Sequence, residues 1–227
     1  FRSGENPARW RGHLDQILPR RTKDSKVKHH PAMPYDDVPA FMARLRAMES
    51  TSARALEFTI LTAARTNEAI AATWSEFDLT AKVWTVPAER MKASKEHSVP
   101  LAPRVVEILN GLPRIKNENF VFPGARRGRP LSNMAMLELV RGMPDTSDFT
   151  VHGFRSSFRD WAGERTNFPR EVIEHALAHQ LRDKTEKAYS RGNLLDKRRA
   201  LMGAWACYCS APKRESGEVV TLRRAAP

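Results

Sequence analysis

Two guanidiniums, two imidazoles and one phenol stand in an order that suggests shared chemistry. His152 and Arg155 occur in VHGFRSSF, His179 in ALAHQ and Tyr189 in EKAYSR, with Arg65 far upstream in LTAARTNEAI. No acidic cluster that could hold a metal accompanies them. This inventory suits metal-free attack on a phosphodiester, whose negative charge repels nucleophiles and grows in the transition state. Planar arginines answer that charge with bidentate donors on the nonbridging oxygens. Attack by the phenol would conserve the bond energy in a phosphotyrosine, so that a second hydroxyl reseals the strand without ATP.

Each residue alone also has a plainer reading. Arg65 follows small and apolar residues at the junction of two expected helices, where a solvated arginine would be out of place; a buried ion pair with Glu68 is the alternative. His152 and Arg155, three apart near a helix start, share a face and an anion site beside the helix N-terminus, although HxxR arises often by chance. His179 closes an apolar helix, either as a donor to phosphate or an orienter of the nucleophile, or as a half-buried structural histidine. Tyr189 is one of three tyrosines and lies in polar DKTEKAYSRGN rather than in an apolar stripe; a surface phenol or a capping hydroxyl is its plain reading.

The elements that must position these groups are mainly α with a small antiparallel β-meander. Asp36 and Asp37 start a helix with Val38, Phe41, Met42, Leu45 and Met48 at helical spacing, and a second helix is expected over Ala53 to Ala63. After Arg65, TNEAIAATW reads as a new helix with Thr66 or Asn67 near its N-cap and Ile70 and Trp74 inward. Lys82 to Pro87 and His97 to Leu101 are β-branched runs that pair antiparallel, with Glu76 to Leu79 as a third strand. Helical signals resume in PRVVEILNGL, closed by Gly111 as C-cap, and in LSNMAMLELVRGM. In HGFRSSFRDWAGE, Phe154, Phe158 and Trp161 mark the buried face, with Arg155 and Arg159 off it. Pro169 opens PREVIEHALAH, and LLDKRRALMGAWACY buries Leu201, Met202 and Trp205.

Composition bounds the rest. The 227 residues are 41% hydrophobic, enough for a sizeable core, and 38 Lys+Arg against 26 Asp+Glu give +12, which favours a polyanionic partner. No run approaches a membrane span, and a soluble cytoplasmic protein is expected. Cys207 and Cys209, without nearby histidines, suit neither a disulfide framework nor a zinc site. The chain begins at Phe1 rather than Met, which suggests a piece of something longer.

In order and context these motifs resemble the tyrosine recombinase (phage integrase) family over about residues 34 to 208. Arg65 stands in the ARxxE box with Glu68 as acidic companion, HGFRSSF supplies the HxxR box, LAH the second histidine position and AYSR the nucleophile. WTVPAERMK, HSVPL and the stretch from AYSR through LLDKRRALMGAWA are similar to integrases of the P4-like prophage and genomic-island group. The resemblance implies a DNA breaking-rejoining catalytic domain at 33–209, preceded at 1–32 by a linker from a core-binding domain and followed at 210–227 by a tail. It implies site-specific recombination of double-stranded DNA at attachment sites through a 3′-phosphotyrosine. Tyr189 is then the nucleophile, and Arg65, Arg155 and His179 stabilise the pentavalent state. Lys92 on the β-hairpin is general acid to the leaving 5′ oxygen, with Lys95 on the same turn as the alternative, and His152 assists proton transfer or charge stabilisation. The family also implies no cofactor and no metal, a homotetramer on DNA that exchanges C-terminal segments, accessory DNA-bending proteins, and a bacterial or phage-encoded protein at the nucleoid. The ten positions from His179 to Tyr189 depart from the nine of many members. A type IB-like topoisomerase and a non-catalytic DNA-binding module are the alternatives. A metal-dependent nuclease fits poorly, because no carboxylate cluster accompanies the histidines.

Overall fold

A central helix at Thr51–Thr62 organises the fold. The computed structural model describes residues 6–18, 31–179 and 194–211. Helix α1 (Val38–Arg46) follows a 3-10 turn at Tyr35–Asp37 and buries Val38, Phe41, Met42 and Leu45, as the spacing predicts. Helix α2 (Thr51–Thr62) is capped by Ser50, whose Oγ accepts from the Ala53 amide at 3.1 Å. It is buried from Ala55 to Thr62 without interruption, the mark of a helix packed on every side. One carboxylate survives in that interior: Glu57, fully buried, accepts from Arg46 at 2.6 Å and from Arg104 at 2.9 and 3.1 Å. Burial alone would raise its pKa, but the two guanidiniums outweigh it and hold the carboxyl below the usual range.

Helix α2 ends at Ala63, which takes a left-handed conformation (φ 49°) and turns the chain into Arg65 and helix α3 (Thr66–Ile70). The meander follows: β1 (Phe77–Asp78), β2 (Val83–Val86) and β3 (His97–Pro100), antiparallel in that order, with Phe77 opposite Trp84 and Val86 opposite His97. Its inner face is aromatic. Trp84 stacks on Phe77 at 5.6 Å and meets Phe58 of α2 edge-on at 5.1 Å. Helices α4 (Pro103–Gly111) and α5 (Ala135–Gly142) pack against α2. Gly111 is the last helical residue of α4 and Leu112 the cap, so the expected glycine C-cap is displaced by one.

Among the described residues, helix α6 (Gly153–Arg165), α7 (Arg170–Ala176) and α8 (Leu195–Tyr208) follow. Trp205 of α8 lies 4.9 Å from Trp161 of α6 and donates from Nε1 to the Ile60 carbonyl of α2 at 2.9 Å, tying the last helix to the first core layer. The incoming segment at 31–33 is seated on the start of α6. The amide and hydroxyl of Thr150 each donate to the Pro31 carbonyl at 3.3 Å, and Ser157 Oγ donates to the Met33 carbonyl. Gly153 permits this approach, since a Cβ there would collide with the Pro31 backbone. No described helix is long and apolar enough to cross a membrane. Of the expected linker at 1–32, residues 1–5 and 19–30 lie outside the described residues, as do residues 212–227 of the expected tail at 210–227.

Candidate active site

Arg155 is the buried foundation of the site. It is only 6% exposed, although the helical pattern of α6 sets it off the aromatic face. The reason is tertiary. Two chain reversals, at left-handed Ala63 after α2 and left-handed Ala178 after α7, bring carbonyls from two helix ends to one point. The Arg155 guanidinium donates to both, through Nη1 to Ala63 and through Nη2 to Leu177 at 2.6 Å. Helix C-terminal carbonyls carry partial negative charge, so a cation is the fitting partner for them. Burial, and then the neighbouring charge of Arg65, lower the Arg155 pKa to about 10, which still leaves it charged near neutrality.

Arg65 stands beside it at the rim, with its side chain 23% exposed. It is itself the N-cap of α3, next to the Thr66 expected near that position, and Glu68 holds it twice. One Glu68 oxygen accepts from the Arg65 amide at 2.9 Å and the other from Nη1 at 2.7 Å. Nη2 reaches the Ala178 carbonyl at 3.5 Å. The Glu68 backbone is fixed in turn by Arg90, which donates to its carbonyl at 3.0 Å and pairs with Glu76 at the base of the meander.

His179 closes the group. It lies three residues beyond the end of α7, past left-handed Ala178, rather than on the helix itself. Its Nδ1 is 2.6 Å from Glu174 Oε2, and its Nε2 is 3.4 Å from Arg155 Nη2. Glu174 also accepts from Arg159 Nε at 2.9 Å. Partial burial and the nearby Arg155 and Arg65 lower the His179 pKa against the opposing pull of Glu174. Burial would raise Glu174, but the hydrogen bonds from His179 and Arg159 keep it below the usual range and ionised.

The structure therefore brings together Arg65, Arg155 and His179, which are far apart in sequence. His152 is exposed at the N-cap of α6, one turn before Arg155. Lys92 and Lys95 are exposed on the turn between β2 and β3, and the charge of Lys95 is felt at His175 of α7. Tyr189 lies outside the described residues. The other two tyrosines are engaged elsewhere. Tyr35 donates to Glu164 at 2.7 Å, Tyr208 donates to the Tyr35 carbonyl at 3.2 Å, and burial with the Asp36 contact raises the Tyr208 pKa to about 12.

Sequence reading missed Glu174, within the apolar helix, and placed Arg159 off the buried face without pairing it to Glu174. The signal available was Glu174 five positions before His179 in EHALAH, a spacing that becomes a contact only because Ala178 reverses the chain. His97, also unremarked, sits at the start of β3, hydrogen-bonded to the Ala176 backbone. Burial, with Arg198 nearby, lowers its pKa to about 4. Among the described residues no group of three or more His, Cys, Asp or Glu side chains is placed to hold a metal ion.

This fold matches solved structures of recombinases. An integrase from mycobacterium phage Brujita superposes with a TM-score of 0.59 at 19% identity, covering 83% of this chain and 61% of that one. A lambda integrase dimer bound to a COC′ core site gives 0.52 at 19% identity, covering 71% and 62%. Among curated proteins, prophage integrase IntA of Escherichia coli (strain K12) is 33% identical over 197 residues, 85% of this chain and 47% of that protein. The integrase of Enterobacteria phage P4 is 32% identical over 203 residues, 81% and 46%. The chain thus spans about half the length of these curated relatives. Residues 32–194 match the phage integrase family model, and the chain belongs to that family.

Proposed function

We propose that this chain is the catalytic part of a site-specific DNA recombinase that cuts and rejoins double-stranded DNA at attachment sites without metal or ATP. The observation that carries this reading is the convergence of Arg65, Arg155 and His179 on the paired reversals at Ala63 and Ala178. Two guanidiniums side by side, one buried and one at the rim, form a site for the nonbridging oxygens of a phosphodiester. The phenol oxygen of Tyr189 attacks the phosphorus, the bond to the 5′ oxygen breaks, and a 3′-phosphotyrosine forms. Lys92 gives its proton to the departing 5′ oxygen. His179 and the two arginines stabilise the pentavalent state, and His152 assists with proton transfer or charge. A 5′ hydroxyl from the partner strand then attacks the phosphotyrosine and releases Tyr189.

The engagement of Tyr35 and Tyr208 in other contacts supports Tyr189 as nucleophile. The net charge of +12 and the DNA-bound structural relatives support duplex DNA as partner. A homotetramer on DNA, accessory bending proteins and a cytoplasmic, nucleoid-associated setting belong to the same reading. The test is to incubate the complete gene product with a library of nicked suicide duplexes, in which the departing strand diffuses away. A denaturant-resistant protein–DNA adduct at a preferred sequence is expected; DNA binding that never yields an adduct overturns the proposal.

A further inference from the structure

Four side chains in a row constrain where the protons of the site reside. Arg159 and Arg155, at the two ends, can only donate, and ionised Glu174 can only accept. Glu174 takes one hydrogen bond from Arg159 at 2.9 Å, and its other oxygen faces His179 Nδ1 at 2.6 Å, so Nδ1 must carry a proton. At the far side of the ring Arg155 Nη2 faces Nε2 at 3.4 Å, so Nε2 must present its lone pair. The ring is thereby neutral and held as a single tautomer.

We propose that Glu174, braced by Arg159, is a positioning residue that fixes His179 as the Nδ1–H tautomer and aims the Nε2 lone pair at the arginine pair, ready to take up a proton there. The inference rests on the recombinase reading for its purpose, but not for its chemistry. Partial burial, with Arg155 and Arg65 close by, disfavours a second proton on the ring in the DNA-free protein, and Glu174, itself paired with Arg159, pulls the other way. A bound phosphodiester would offset the arginines and allow Nε2 to accept a proton. Only then can His179 donate to a phosphate oxygen as well.

The experiment is nitrogen NMR of ring-labelled histidines in the whole, DNA-free chain, with His179 assigned through a His179→Gln variant. At neutral pH the native ring is expected to show a protonated Nδ1 and a bare Nε2. Glu174→Gln, which keeps the shape, should lower the titration midpoint by about one pH unit and populate the other tautomer. Arg159→Ala should raise the midpoint, because Glu174 then loses its competing partner; this arm of opposite sign separates the proposal from general unfolding. A native ring protonated at Nε2, or midpoints that do not move in opposite directions in the two variants, overturns it. Because nothing in the readout depends on strand cleavage, failure here and failure of the recombinase reading are distinguishable.

Discussion

Arg155 and His179 meet nitrogen to nitrogen, Nη2 of one 3.4 Å from Nε2 of the other, while the same guanidinium nitrogen donates to the Leu177 carbonyl two residues before the histidine. One side chain therefore anchors both the histidine and the reversal that presents it. The proposed catalytic geometry and local stability share a residue at this point.

It follows that Arg155→Ala should damage both properties. Removing the donors strands two inward carbonyls, at a cost of about 1–3 kcal/mol, and should lower strand cleavage by about 10²–10³-fold. Arg155→Lys keeps the charge but not the fork, so it should recover much of the stability and little of the cleavage. Urea unfolding and adduct formation, measured on the same preparations, check the split.

Two glycines of α6 should respond in opposite senses to alanine. Gly153→Ala drives a methyl into the Pro31 backbone and should destabilise by about 1–3 kcal/mol, loosening the seat of the incoming segment. Gly163→Ala meets nothing within 4 Å and should stabilise the helix by about 0.5–1 kcal/mol. Denaturation midpoints of the two variants decide this.

Stability should fall as the solution is acidified from about pH 6.5 towards 4. His97 titrates at its ordinary value of 6.5 in the unfolded chain and at about 4 in the fold, because it is buried and lies near Arg198. Between those values the unfolded chain binds a proton that the fold excludes, so the contribution is complete above 6.5 and lost by 4. The loss is on the order of 3 kcal/mol. His175 and His179, also lowered, act in the same direction, whereas Glu57 and Glu174 lose their contributions only below the ordinary carboxylate value of 4.5. His97→Gln should flatten the slope of unfolding free energy between pH 6.5 and 4.

A leaving-group test separates the two hairpin lysines. If Lys92 protonates the 5′ oxygen, Lys92→Ala should cleave poorly, and a substrate with sulfur at the 5′ bridging position, which leaves without a proton, should restore the rate. Lys95→Ala should show no such rescue. Rescue of Lys95→Ala alone would move the general acid to Lys95.

Much of this was legible in residue patterns. Periodicity found α1, α2, α6 and α8, and β-branched runs found β2 and β3, because each element's buried face is written locally. Arg65, Glu68 and His179 were marked by their motifs. Arg155 was singled out by its HxxR motif, but its burial was not foreseen. Its position on α6 sets it off the aromatic stripe, and only the arrival of two helix ends at Ala63 and Leu177 encloses it. Glu174 was hidden for a related reason: a carboxylate in an apolar helix becomes the partner of His179 through a left-handed alanine that no propensity announces.

The central claim, that a phenol of this chain becomes covalently bound to DNA, is tested most directly by trapping on a nicked suicide duplex followed by peptide mapping of the adduct. The account predicts a 3′-phosphotyrosine at Tyr189 and no adduct from Tyr189→Phe with folding unchanged. An adduct that persists in Tyr189→Phe, or one that maps to Tyr35 or Tyr208, would contradict it.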